Sequence, residues 1–111
     1  MKKIEAIIRP ECLNTVRAAL EKLGYPGMSI TEVRGCGKQA QTQQWRGMQY
    51  EVDLLPKLKI DIVVIDDDVS KMMNAITKNA RTGQPGDGKI FILPVEAAVR
   101  IRTGDKDDNA I

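Results

Sequence analysis

A chain of 111 residues, 42% hydrophobic with only four aromatic side chains, has material for one domain with a modest aliphatic core. A formal net charge of +2 is too small to argue for a nucleic-acid partner on electrostatics alone. Two cysteines and no histidine argue against a structural zinc site within one chain, and the lack of histidine removes the commonest general base and any Ser-His or Cys-His nucleophile pair.

No stretch approaches the length of a membrane span, and Glu5 interrupts any apolar signal core behind Met1-Lys2-Lys3. The expectation is a cytoplasmic protein with two free thiols, Cys12 and Cys36, although a disulfide between them stays open on sequence. Alternation over Lys3 to Arg9 predicts a first strand, closed by Pro10. Leu13, Val16, Leu20 and Leu23 recur at helical spacing, and Gly24 stops that helix. A turn at Tyr25-Pro26-Gly27 leads into a strand-like run from Met28 to Arg34. Residues 37 to 50 are polar with little apolar periodicity and read as a structureless insert, which in a small domain is functional or disordered. Strand character returns over Val52 to Leu55, and Leu58, Ile60, Ile62 and Val64 alternate with Lys57, Lys59 and Asp61 as a half-buried strand. Asp66-Asp67-Asp68 suits a helix N-terminus, as cap and dipole complement rather than as a metal site, and Val69, Met72, Met73, Ile76 and Ala80 form the apolar stripe that follows. A last strand, Ile90 to Leu93, is apolar on both faces, and Pro94, a short turn, Val99 to Arg102 and a polar tail complete the chain.

The order strand, helix, strand, strand, helix, strand is the ferredoxin-like split βαβ pattern, an α+β sandwich of a four-stranded antiparallel sheet with two helices on one face. A last strand apolar on both faces argues that another subunit covers the far side. Between the second helix and that strand lies Thr82-Gly83-Gln84-Pro85-Gly86-Asp87-Gly88-Lys89. Its glycines allow sharp turns and bring backbone N–H groups close to an anion, and Lys89 adds a cation, so a phosphate suits it. The plainer alternative is a helix cap at Gly83 and a tight turn at Gly86-Asp87-Gly88. It is not a G-x-x-x-x-G-K-[ST] loop, because Ile90 follows Lys89, and a G-x-G-x-x-G loop opens a helix whereas this one opens a strand.

Thr82-x-x-x-Gly86-Asp87-Gly88-Lys89-Ile90-Phe91-Ile92 resembles the C-terminal signature of the PII nitrogen-regulatory signal proteins at every defined position. Met1 to Pro10, Gly27-Met28, Thr31-Glu32-Val33, Val52-Asp53, Leu55-Pro56-Lys57 and Arg100 to Gly104 are similar to the same family in the same order, so the resemblance spans nearly the full length. It implies a single PII-like domain over residues 1–111, with a T-loop at about 37–53, a phosphate-binding loop at about 81–89 and a C-terminal segment at about 100–111. It implies a homotrimer binding ATP or ADP between subunits. In that site Gly86, Asp87, Gly88 and Lys89 would hold phosphates, with Ile7 beside them and Gly35, Cys36, Gly37, Lys38 and Gln39 lying along them. Arg100 and Arg102, with Gly27, Met28, Ser29 and Val63, would come from a neighbouring subunit, the two arginines pointing the same way from an extended segment. The family also senses 2-oxoglutarate through a magnesium ion on the ATP phosphates. Gln39 matches the oxygen donor to that ion and Lys57 the counter-charge for the distal carboxylate.

The T-loop departs from the family's pattern. Lys38 stands where many members have arginine, which keeps the charge and loses bidentate binding. Tyr50, in Trp45-Arg46-Gly47-Met48-Gln49-Tyr50, is in register with the tyrosine that some bacterial members uridylylate, yet Trp45, Met48 and Gln49 break the usual motif and the loop is one residue shorter. Tyr50 is thus a candidate for modification or a partner-contact aromatic. The resemblance implies a non-enzymatic sensor acting on an ammonium transporter, glutamine synthetase or another nitrogen enzyme, without nucleic acid and reaching a membrane only through a transporter. Two other classes stay open: a small nucleotide hydrolase, for which Asp87 is the one candidate base, and a ferredoxin-like RNA-binding domain, which needs stacking aromatics on the central strands.

Overall fold

A computed structural model describes residues 1–35, 41–45, 48–52 and 55–111. The elements run β1 (Lys2–Ile8), α1 (Leu13–Lys22), β2 (Ser29–Gly35), β3 (Gln41–Trp45), β4 (Met48–Val52), β5 (Leu55–Val64), α2 (Val69–Ala80) and β6 (Lys89–Pro94), with one-turn 3-10 helices at Pro10–Cys12, Asp66–Asp68 and Asp107–Ala110. The main sheet has the order β2-β5-β1-β6 and every neighbouring pair is antiparallel. Both helices pack on one face, the ferredoxin-like arrangement.

The period-2 pattern explains which face that is. Ile4, Ala6 and Ile8 on β1 and Ile60, Ile62 and Val64 on β5 are buried beneath the helices. Val16 and Leu20 from α1, with Met72, Ile76 and Ala80 from α2, close the same core. Burying an aliphatic side chain of this size stabilises the fold by roughly 1.5–3 kcal/mol. α1 ends in a Schellman turn. The Tyr25 amide donates to the Leu20 carbonyl at 3.3 Å and the Gly24 amide to that of Glu21 at 3.0 Å. Gly24 takes φ +93°, which a side chain resists. The opposite face carries Lys3, Glu5, Lys59 and Asp61, linked by ion pairs of 3.2 to 3.8 Å. Along β6, Phe91, Ile92 and Leu93 are all more than a third exposed.

Several expectations change. The insert is not structureless: β3 pairs with β4 from Gln41↔Val52 to Trp45↔Met48. Its register is a matter of backbone pairing, and a sequence without apolar alternation did not reveal it. Val52 closes β4 and Leu55 opens β5, so the strand expected over 52–55 is the junction of two. The three aspartates form a 3-10 turn before α2 and make no side-chain cap. Asp66 pairs instead with the Met1 amino group at 2.9 Å, and Asp68 with Lys71 at 2.9 Å and the Tyr25 hydroxyl. Cys12 carries a free thiol, 3.9 Å from the Ala80 carbonyl. Among the described residues no helix is long and apolar enough to cross a membrane.

Candidate functional site

The glycine loop is held from behind. Gly83, Gly86 and Gly88 all take positive φ, at +86°, +97° and +103°. A Cβ on Gly88 would lie 1.7 Å from the Ile7 carbonyl oxygen, so only glycine fits against β1. The Asp87 carboxylate accepts from the Thr82 amide at 2.9 Å, the Gly83 amide at 2.8 Å, the Thr82 hydroxyl and Arg9 Nε at 3.3 Å. The Thr82 hydroxyl foremost, then the two amides and Arg9, hold its carboxyl well below the usual carboxylate range, against the opposing effect of burial. A carboxylate so occupied braces the loop, and it is a poor general base.

Two further cations reach the loop. Arg9 Nη2 donates to the Pro85 carbonyl at 2.7 Å. Lys57, 8% exposed, donates to the Gly86 carbonyl at 2.6 Å. Burial, and after it the nearby Arg9 guanidinium, lowers the Lys57 pKa, while Glu11 and Asp87 oppose the shift. Lys57 also underlies the root of the T-loop, since a Cβ on Gly35 would meet its Cγ at 3.6 Å. Lys89 opens β6 opposite Ile7, with its side chain exposed. Ile7, Asp87, Gly88 and Lys89 line one cavity of about 400 Å³. One corner of the sheet therefore gathers Ile7, Gly35, Lys57 and Gly86 to Lys89.

The residues expected from a neighbouring subunit gather elsewhere. Gly27, Met28, Ser29, Val63 and Arg100 line a cavity of about 770 Å³ at the other end of the sheet. Tyr25 forms part of its wall, its hydroxyl donating to Asp68 and accepting from the Ile65 amide at 3.4 Å. Burial first, and then the Asp68 contact, pushes the Tyr25 hydroxyl pKa up. Lys3, Asp61, Ala110 and Ile111 also border this cavity. Lys3 and Asp61 could have been found from the alternation of β1 and β5, which turns both away from the helices; the terminal pair carried no signal.

Arg100 and Arg102 do not lie on an extended segment. Residues 101–103 are a turn, closed by the Gly104 amide to the Arg100 carbonyl and the Arg100 amide to the Asp105 carbonyl, both at 2.8 Å, with Val99 bridging to Lys106. Gly104 at φ +75° permits this reversal. Arg100 reaches the Ala110 carbonyl at 3.4 Å, and Arg102 is not part of either cavity wall.

The two corners are far apart. Val63 pairs with Lys3 and Lys89 with Ile7, so they are separated along β1 by four residues, about 13 Å. β2, which Gly27 and Met28 lead into, and β6 are opposite edges of the sheet, three strand spacings or about 14 Å across. Cys36, Gly37, Lys38 and Gln39 lie outside the described residues. Tyr50 sits on β4 opposite Gln43, and its side chain lies outside them too. Among the described residues no three carboxylate or thiol groups converge on a metal position.

Comparison with known proteins bears on the whole chain. The model of the family described as nitrogen regulatory protein P-II matches residues 1–105. "Nitrogen regulatory protein P-II" of Synechocystis sp. is 54% identical over 112 residues, covering all of both chains. "Nitrogen regulatory protein P-II 1" of Escherichia coli K12 is 53% identical and the Pasteurella multocida protein 52%, again at full coverage of both chains. A family match over that span, together with identity at this level from end to end, means that the chain belongs to the nitrogen regulatory protein P-II family.

Proposed function

We propose that this chain is a homotrimeric, non-enzymatic signal protein of the cytoplasm that binds ATP or ADP between subunits. With Mg²⁺ and ATP it also takes 2-oxoglutarate, and it controls a nitrogen-metabolism target through the T-loop. An ammonium transporter or glutamine synthetase is the kind of target this reading implies. The observation that carries it is the separation of the two half-sites. The loop corner offers glycine amides and Lys89 to an anion, and the other corner offers a cavity with Arg100 at its wall. A single chain holds them at diagonal corners, so a nucleotide using both needs a second copy. The exposed Phe91, Ile92 and Leu93 on β6 support an interface there.

Signalling then follows from linkage. A ligand changes the T-loop only through its different affinities for the loop's conformers. Lys57 supports this, because it bonds the phosphate loop at the Gly86 carbonyl and its stem fills the space beside Gly35 at the T-loop root. Gln39 would supply the oxygen donor to magnesium and Lys57 the counter-charge for the distal carboxylate of 2-oxoglutarate.

Light scattering combined with calorimetry tests the reading. At micromolar concentration the expected mass is that of a trimer, and ATP and ADP bind. 2-Oxoglutarate binds only when Mg²⁺ and ATP are present, and ATP and 2-oxoglutarate raise each other's affinity by one common factor. Gln39→Ala and Lys57→Ala each reduce 2-oxoglutarate binding more than ATP binding. A monomeric mass, or no heat with ATP, overturns the proposal. ATP binding with no 2-oxoglutarate binding at millimolar concentration restricts it to adenylate sensing.

A further inference from the structure

Arg9 belongs to no expected ligand set, yet its side chain is 15% exposed and both its hydrogen bonds go to the glycine loop. In a trans peptide the N–H of one residue points opposite to the C=O of the residue before it. Arg9 takes the Pro85 carbonyl, so the Gly86 N–H is turned away from it. Lys57 takes the Gly86 carbonyl, so the Asp87 N–H is turned away from Lys57. The Asp87 N–H turns back toward the Gln84 carbonyl across the Pro85-Gly86 turn, and the Gly86 amide has no hydrogen-bond partner among the described residues. Gly86, at φ +97°, thus keeps an unpaired backbone N–H in the loop, a donor for an anion.

We infer that Arg9 is a positioning residue for nucleotide phosphate. It does not touch the ligand. By holding the Pro85 carbonyl it fixes the peptide plane between Pro85 and Gly86, and that plane presents the Gly86 N–H to the phosphate before it arrives; its bond to the Asp87 carboxylate ties it to the brace of the loop. A guanidinium suits the task because one planar fork reaches a carbonyl and a carboxylate together. Lys57 holds the next peptide by the Gly86 carbonyl, so the loop is shaped by two cations behind it, while Lys89 stays exposed at its end. This inference rests on the proposed reading that the loop binds nucleotide phosphate.

The test uses the full-length protein with Arg9→Gln and Arg9→Lys. The first readout is the backbone amide resonances of Gly86 and Asp87 in nucleotide-free protein; the second is ATP affinity by calorimetry. Arg9→Gln is expected to move both amide resonances and to weaken ATP by about tenfold, the loss of charge-assisted bonds. Arg9→Lys keeps one donor to the Pro85 carbonyl and should recover most of the affinity. Unmoved amides in Arg9→Gln overturn the positioning role even if ATP weakens, because they indicate direct contact with the ligand. Moved amides with unchanged ATP affinity overturn it as well. If the Gln variant does not fold, the Lys variant decides: its amides and ATP affinity must shift in the same sense, by less than tenfold, or the inference fails. A wild-type protein that binds no ATP sinks the proposed function itself and takes this inference with it. A wild type that binds ATP beside an Arg9→Gln that binds it equally well sinks this inference alone.

Discussion

The loop corner and the C-terminal corner of the sheet are built on opposite plans. At the loop corner, Asp87, Thr82, Arg9 and Lys57 hold the backbone from behind, and Gly88 sits too close to Ile7 for any side chain. At the other corner, the cavity is rimmed by exposed Gly27, Ser29 and Arg100, and among the described residues the Arg100 side chain makes a 3.4 Å hydrogen bond and a 3.9 Å ion pair with Asp105. Exposed pairs of that kind contribute between about 0 and 1 kcal/mol. The first corner is organised by its own chain. The second is open to solvent. On the proposed reading, each chain carries a preformed phosphate-facing half and a second copy supplies the rest.

The largest expected effect breaks the first corner. Gly88→Ala combines a positive φ with a Cβ on the Ile7 carbonyl, and should cost about 3 kcal/mol or more of stability. Gly83→Ala, in the same loop at φ +86° but with nothing within 4 Å, should cost only about 1 kcal/mol. Denaturant unfolding of both at one protomer concentration measures the difference; equal losses would mean that close packing on β1 does not hold the loop.

Next in size is the link between the corners. Lys89→Ala should weaken ATP roughly tenfold while sparing the fold, since it removes a charge-assisted contact and no core. Arg100→Ala should weaken ATP from the other side. If a site joins Lys89 of one copy to Arg100 of another, subunits of the two variants unfolded and refolded together should regain wild-type affinity at roughly a quarter of sites. No recovery in mixed oligomers would place both residues in one chain's site.

The smallest effect concerns pH. Asp87 has its folded pKa lowered, so its contribution to stability is fully present above the ordinary carboxylate range and is lost only as pH falls through that range toward its depressed value. The amide resonances of Thr82 and Gly83 should therefore hold their positions as pH falls from neutral to about 3, below the ordinary Asp value near 4. A midpoint near 4 at those amides would mean the brace is loose in solution.

Much of this was legible before any coordinates. Alternation on β1 and β5 assigned the core face because one face of a half-buried strand must be apolar. The 3.6 spacing of Val16 and Leu20, and of Met72, Ile76 and Ala80, did the same for the helices. The glycine loop and its family signature were plain, whereas the bracing role of Asp87 appears only in its hydrogen bonds. The β3–β4 ribbon was not, because its backbone pairing needs no apolar period. The turn at 101–103 was not, because Gly104 sits at its end and the preceding Arg-Ile-Arg reads as strand.

The sequence by itself determined the order of the main-sheet strands and the two helices, the buried face and the family, since each depends on local periodicity or on motifs read along the chain. Tertiary structure alone decided that Arg9 and Lys57 meet the loop, from 76 and 29 residues away in the chain. It alone placed Gly27, Val63 and Arg100 around one cavity, diagonal to Lys89. The physical reason is that such contacts depend on strand register and sheet order, and no local pattern encodes which distant carbonyl a cation will reach.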